Sequence, residues 1–218
     1  MVEPLYQVLA RSALVSVSAA LIASAVGIPL GSILALARLP GRRLLTAMVN
    51  TGMAVPTVVI GLGMALLLWR TGPLGGLDLI YTVPGMVLAQ VVVATPLITG
   101  ITMAALQMLP EELPDQLRAL GANRVQLVLR MWGEGKVLLF AAAMAGFGHA
   151  ISEVGASTIV GGNIHGQTQV MTTAIVEDVG RGEFGAAIFY GVALVVLAFT
   201  VNGLLLSVQR RGAAWQRS

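Results

Sequence analysis

Residues 110–136 read PEELPDQLRALGANRVQLVLRMWGEGK, a polar, helix-patterned stretch between two long apolar runs. Pro110 to Pro114 stop the preceding run and open a short helix. Pro114 suits a first helical turn, where its missing N–H costs nothing. Glu111, Glu112 and Asp115 put negative charge at the positive end of the helix dipole. Leu113, Leu117 and Leu120 recur at helical spacing and form a narrow apolar stripe. Gly121 and Ala122 end this helix, because glycine takes left-handed backbone angles without strain. Asn123 then caps a second helix, with Gln126 three residues on completing a capping box. That second helix carries Val125, Leu127, Val128, Met131 and Trp132 and leads into the next apolar run. The pattern predicts a helix, a glycine elbow and another helix outside the bilayer. The stripe needs cover from lipid, from the protein's own bundle, or from a groove on a partner.

The surroundings of this segment set the solvent. The chain is 56% hydrophobic and 11% charged, with a mean hydropathy of +0.86, too apolar for a water-soluble domain of this length. Five runs are long enough for a hydrocarbon core of roughly 30 Å, which takes about 20 helical residues. They cover 13–37, 44–69, 83–109, 137–160 and 184–208, and lack the alternation of a membrane barrel. Ala35-Leu36-Ala37 mimics a cleavage site. The run before it is longer than a signal core, however, and Glu3 and Arg11 make no basic leader, so an uncleaved anchor is expected. With no cysteine, disulfides and thiolate metal sites are excluded; no metal, cofactor or nucleic-acid partner is expected.

Charge placement predicts orientation. Arg38, Arg42, Arg43, Arg118, Arg124, Arg130, Lys136, Arg210, Arg211 and Arg217 fall on one side of the predicted spans. Arg11, Arg70 and Arg181 fall on the other. By the positive-inside rule the N-terminus lies outside and the C-terminus in the cytoplasm.

Inside the runs, Pro29, Pro56 and Pro96 predict kinks, and Gly27, Gly31, Gly61 and Gly63 predict close helix packing. The one carboxylate in a run is Glu153, with Ser152 beside it and His149 one turn earlier. Burying it costs about 2.5–3.5 kcal/mol on insertion scales, so it faces protein or water. His149 and Glu153 share a face if the helix continues. Three uses stand open for them: an internal hydrogen-bonded pair, a gating element, or a proton relay in a secondary transporter. No Arg or Lys sits mid-run, so a tight all-protein anion site within the spans is not expected.

Asp115-Gln116-Leu117-Arg118-Ala119-Leu120-Gly121-Ala122 resembles the coupling-helix loop of binding-protein-dependent ABC importer permeases, with Asp115 in place of the usual glutamate and Gln116 and Leu117 in place of two alanines. Residues 150–156, reading AISEVGA, resemble the gate-region motif of molybdate and tungstate permeases. Continued through 159–164 and 169–175, they are most similar to the tungstate branch. The resemblance implies an all-α integral membrane protein of the type I importer kind: a single permease domain over 1–218 with five spans and a coupling loop at 110–136. It implies a non-catalytic subunit that pairs with a second copy, docks on two cytoplasmic ABC ATPase subunits through Glu112, Asp115, Gln116, Ala119, Leu120, Gly121 and Ala122, and receives its oxyanion from an external binding protein. It places a gate at Ser152, Glu153, Gly155, Gly161, Gly162 and Asn163, in a bacterial or archaeal cytoplasmic membrane. Molybdate or sulfate remain alternative cargoes. The chain itself holds no phosphate-binding loop, since Gly133-Glu134-Gly135-Lys136 runs into Val137. The glycine-rich segment 161–182 reads either as the lining of the external mouth or as a solvated loop with a short helix.

Overall fold

The computed structural model describes residues 4–37 and 40–214, with side chains described through 207. Arg38 and Arg217, and the side chains of Arg210 and Arg211, therefore lie outside the described residues. The helices, in chain order, are α1 (Leu5–Leu36), α2 (Arg42–Ala54), α3 (Thr57–Leu68), α4 (Val83–Gln107), α5 (Leu113–Ala119), α6 (Arg124–Ile151), α7 (Gly155–Gly161), α8 (Met171–Gly180) and α9 (Phe184–Ala214), with one 3-10 turn at Gly75–Leu77. There is no strand among the described residues.

Leu5–Leu36, Val83–Gln107 and Phe184–Ser207 are each long and apolar enough to cross a membrane. The count reaches five only if α2 with α3 and α6 with α7 are each taken as one bent span. The 44–69 run is thus not one helix: α2 and α3 meet at 102°. Pro56 causes the break. It lacks an N–H for the ladder and pushes Val55 before it into extended angles, φ −63° and ψ 129°. Pro29 and Pro96, by contrast, stay inside unbroken helices. The 137–160 run is also divided: α6 starts at Arg124, ends at Ile151, and meets α7 at 57°. The first helix starts eight residues before the predicted 13, which puts Arg11 inside it.

α4 is the centre of the bundle, with α1 and α6 packed on it. Small residues allow this. A Cβ on Gly27 would lie 3.0 Å from the Ile98 side chain, and one on Gly31 would lie 2.5 Å from the Thr99 carbonyl oxygen. Gly146 of α6 meets Ile98 from the other side. Ala23, Ala94, Ile98 and Ala142 close the middle of the contact. So the Gly27/Gly31 pair packs helices within one chain. Gly61 likewise abuts Ala156 of α7, whereas Gly63 faces open space.

Several hydroxyls inside the helices bond locally: Ser12 donates to the Val8 carbonyl, Thr95 to Val91 and Thr99 to Thr95. In a solvent without water this satisfies the O–H without a partner from another helix. α9 touches Ala20, Phe147 and Ile151 with Leu194, Leu197, Ala198 and Val201. Its other face exposes Ile188, Phe189, Val192, Val195, Val196 and Phe199, a surface that only lipid or another apolar partner covers well.

The two ends of the bundle differ in charge. Arg42, Arg43, Arg118, Arg124 and Arg130 lie at the end where Leu36, Leu106, Leu113 and Leu127 pack together. Arg11 and Arg181 lie at the opposite end, against the segment 161–182.

Candidate coupling and gate sites

The elbow forms as the local signals require. Pro114 sits in the first turn of α5, and Asp115 pairs with Arg118 one turn later. After Leu120, Gly121 takes φ +84°. Its N–H donates to the Arg118 carbonyl at 2.9 Å, and the Ala122 N–H donates to Leu117 at 3.0 Å, so two end carbonyls are satisfied across the glycine. Asn123 Oδ1 then accepts from Gln126 N–H, and Gln126 Oε1 accepts from Asn123 N–H, each at 2.9 Å. α6 therefore starts at a fixed angle to α5 and runs without a break into the membrane bundle.

The apolar stripe does not act as one face. Leu113 and Leu117 pack against the cluster of Leu106, Leu127, Met131 and Leu139. Leu120 is 84% exposed. Glu112, Asp115, Gln116, Ala119 and Gly121 are exposed and Ala122 is half-buried. The bundle covers two leucines and leaves the third outside. A recess of about 550 Å³ runs beside it, between Leu117, Leu120, Gln126 and Arg130. Farther along α6, Trp132 Nε1 donates to Ser32 Oγ of α1 at 2.8 Å and ties the two helices together.

The other candidate residues gather at the two ends of α7. Ser152 ends α6, its hydroxyl bonded to the Gly148 and His149 carbonyls. Glu153 is buried and lies past the helix end, so the expected shared face with His149 does not form. Its carboxylate instead accepts from the Ala156 N–H at 2.8 Å, at the amino end of α7. Its carbonyl accepts from the Thr172 hydroxyl at 2.9 Å. Gly155 lies against Val58, and Gly161 against Met86. Gly162, at φ +72°, lies against Tyr81, whose N–H donates to Val160 at 2.8 Å. α7 is thus held against the second half of the bent pair and against α4. Glu153→Ala should lower the melting temperature, because a buried N–H loses its acceptor at a cost of about 1–3 kcal/mol. Glu153→Gln retains an acceptor oxygen and should melt near wild type. Equal melting of Ala and Gln variants in detergent would remove the capping role.

The segment 161–182 is not a solvated loop. Thr168, Gln169, Thr172 and Thr173 are buried, although Gln167 is exposed. α1 anchors it: Arg11 donates to the Gln169 carbonyl at 2.7 Å, and the Met171 N–H donates to Ser12 Oγ at 2.8 Å. Glu177 is its hub. It accepts from Asn163 Nδ2 and Gln169 Nε2, both at 2.7 Å, meets His165 Nε2 at 3.0 Å and pairs with Arg181. Of the gate residues, only Asn163 reaches this hub by its side chain.

Glu177 lies outside the apolar runs, where a carboxylate does not stand out in sequence. The signal is an acidic pair, Glu177 and Asp178, near Asn163, His165 and Gln169. Gln90 does not stand out either: it is 2% exposed on α4 and donates to Ser157 Oγ of α7 at 3.0 Å.

Burial pushes the Glu177 carboxyl up, but bonds from His165 and Asn163 and the charges of His165 and Arg181 outweigh it. The net value lies below the ordinary 4.5. Burial and the nearby Glu183 and Glu177 charges push Asp178 the other way. A lowered carboxyl stabilises the fold above its unfolded value and loses that contribution as pH falls through the folded one. A raised carboxyl destabilises at neutral pH and loses that penalty on acidification. Glu177→Gln should therefore destabilise at neutral pH and flatten the acid decline of melting temperature, while Asp178→Asn should stabilise at neutral pH. The same shift from both variants would contradict this assignment.

Comparison with known proteins defines the class. The model of the binding-protein-dependent transport system inner membrane component matches residues 27–212, and the chain belongs to that family. Membership makes it a multi-pass membrane transport component whose partners are a substrate-binding protein and an ABC ATPase. The chain is 37% identical to the tungstate uptake system permease protein TupB of Peptoclostridium acidaminophilum, over 94% of this chain and 90% of that one. It is 34% identical to a probable anion ABC transporter permease of Haloferax volcanii, over 92% and 88%. To the molybdenum permease ModB of Escherichia coli it is 28% identical, over 97% of each. An inward-facing structure of the MetNI methionine ABC transporter has the same fold, with a TM-score of 0.78, 19% identity and 95% coverage of both chains.

Proposed function

We propose that this chain is the permease of an ATP-driven oxyanion importer, with tungstate as its cargo. The observation that carries the cargo is the 37% identity to a tungstate permease over 94% of the chain. Two copies form the pathway, and two cytoplasmic ATPase subunits drive it. Glu112, Asp115, Gln116, Ala119, Leu120, Gly121 and Ala122 present the docking element, whose rigid join to α6 supports a lever reading. Ser152, Glu153, Gly155, Gly161, Gly162 and Asn163 form the external gate, where α7 has a fixed cap at one end and the Glu177 hub at the other. The N-terminus lies outside and the C-terminus inside, in a bacterial or archaeal cytoplasmic membrane, with the whole of 1–218 acting as one permease domain of five spans. Clustering of Arg42, Arg43, Arg118, Arg124 and Arg130 at the elbow end supports that orientation.

The test is uptake by proteoliposomes holding the permease, its ATPase and its binding protein. ATP-dependent tungstate entry, outcompeting molybdate and sulfate, is the expected result. A preference for molybdate or sulfate would overturn the cargo assignment. Uptake without the ATPase, abolished by an uncoupler, would instead favour proton coupling.

A further inference from the structure

Beside the elbow, at the same end of the bundle, lies a second recess of about 680 Å³ where the start of α2 faces the end of α4. Gly41, Arg42, Arg43, Thr46, Met103 and Gln107 line it. From this lining we infer that the recess is a binding site for a phosphate-like tetrahedral oxyanion, separate from the transport gate.

Three observations carry this. The lining places two arginines, a hydroxyl and a carboxamide around one recess, and among the described residues it includes no carboxylate. Among the described residues, neither Arg42 nor Arg43 pairs with an acid. Adjacent like charges without a counterion repel, and a polyanionic oxygen cluster relieves that repulsion while accepting several N–H bonds. Arg42 commits one N–H, to the Ala35 carbonyl at 3.4 Å, and so keeps most of its five donors. Thr46 makes only a weak contact, with Met103 Sδ at 3.8 Å, so its hydroxyl can turn to a better acceptor. Gly41, at φ +75°, turns the chain into α2 so that the helix's positive end opens beside these side chains.

The volume exceeds a bare tetrahedral anion and suits either a hydrated oxyanion or the headgroup of an anionic phospholipid. The two share the chemistry and differ in source. The site does not depend on which anion the importer carries, so failed tungstate uptake would leave it standing.

The full-length permease in nanodiscs separates the sources. One arm uses zwitterionic lipid and titrates tungstate or inorganic phosphate by calorimetry. The other adds phosphatidylglycerol and counts retained lipid by native mass spectrometry. Saturable binding in at least one arm is expected, weakened roughly tenfold or more in Arg42→Gln/Arg43→Gln. Arg42→Lys/Arg43→Lys should retain part of it and so report that the variant protein is folded. The control Arg124→Gln/Arg130→Gln removes the same charge from the same end and should leave binding unchanged. No saturable binding in either arm, or equal loss in the control, would overturn the inference.

Discussion

Leu120→Asp should abolish recovery of the ATPase with the permease while leaving membrane insertion and melting temperature unchanged. The separation of effects follows from geometry. Leu120 is 84% exposed, whereas Leu113 and Leu117 of the same stripe pack into the bundle. A carboxylate at position 120 therefore meets water in the free permease. In a docked complex it would be buried in a groove that takes an apolar side chain. Central interface anchors of this kind cost about 2 kcal/mol or more when lost, roughly a thirtyfold drop in affinity. Gly121→Pro is the companion variant. Proline holds φ near −65°, and position 121 needs +84°, so the angle between α5 and α6 cannot survive. Both variants should stop ATP-driven transport. Normal co-purification of the Leu120→Asp variant would place the docking surface elsewhere on the chain.

Gly31→Ala should strongly destabilise the fold. The added carbon would sit 2.5 Å from the Thr99 carbonyl oxygen and 2.7 Å from Thr102 Cβ. The nearest obstacle is backbone in the middle of α4, which cannot swing aside as a flexible side chain would. Overpacking costs about 1–3 kcal/mol, and a rigid obstacle puts this site at the upper end. Gly63→Ala is the matched control: nothing lies within 4 Å of its Cβ, and alanine favours helix by up to about 1 kcal/mol. The two variants should shift the melting temperature in opposite directions. A neutral Gly31→Ala would mean that α1 and α4 approach less closely than described.

Much of the elbow was legible because its signals are local. Pro114, Gly121, Asn123 and Gln126 each act within a few residues, so a reading of the chain alone predicts the helix, the left-handed turn and the capping box. Apolar runs and charge placement gave the membrane class, since the solvent acts on each segment separately. The helix breaks were legible only in part. Pro56 was expected to kink a span and instead divides it. Nothing in the apolar run announced that α6 stops at Ile151.

The gate cluster was read as a motif, and its geometry was not visible. His149 and Glu153 looked like neighbours only under the assumption of a continuous helix. The break turned Glu153 into a cap for α7 instead. Gln90 meets Ser157 of a distant helix, whereas Glu177 has its partners within 14 residues but lies outside the apolar runs, where a carboxylate does not stand out.

The membrane class, the elbow and the small-residue face of α1 are written in the chain, because propensity, capping and hydrophobicity act over short range. The folded bundle sets which leucines of the elbow it covers, what Glu153 holds, and that Glu177 gathers Asn163, His165 and Gln169. The first two depend on where distant helices stop and how closely they pack, and the third on how the segment 161–182 folds back on itself, and no local pattern encodes such distances.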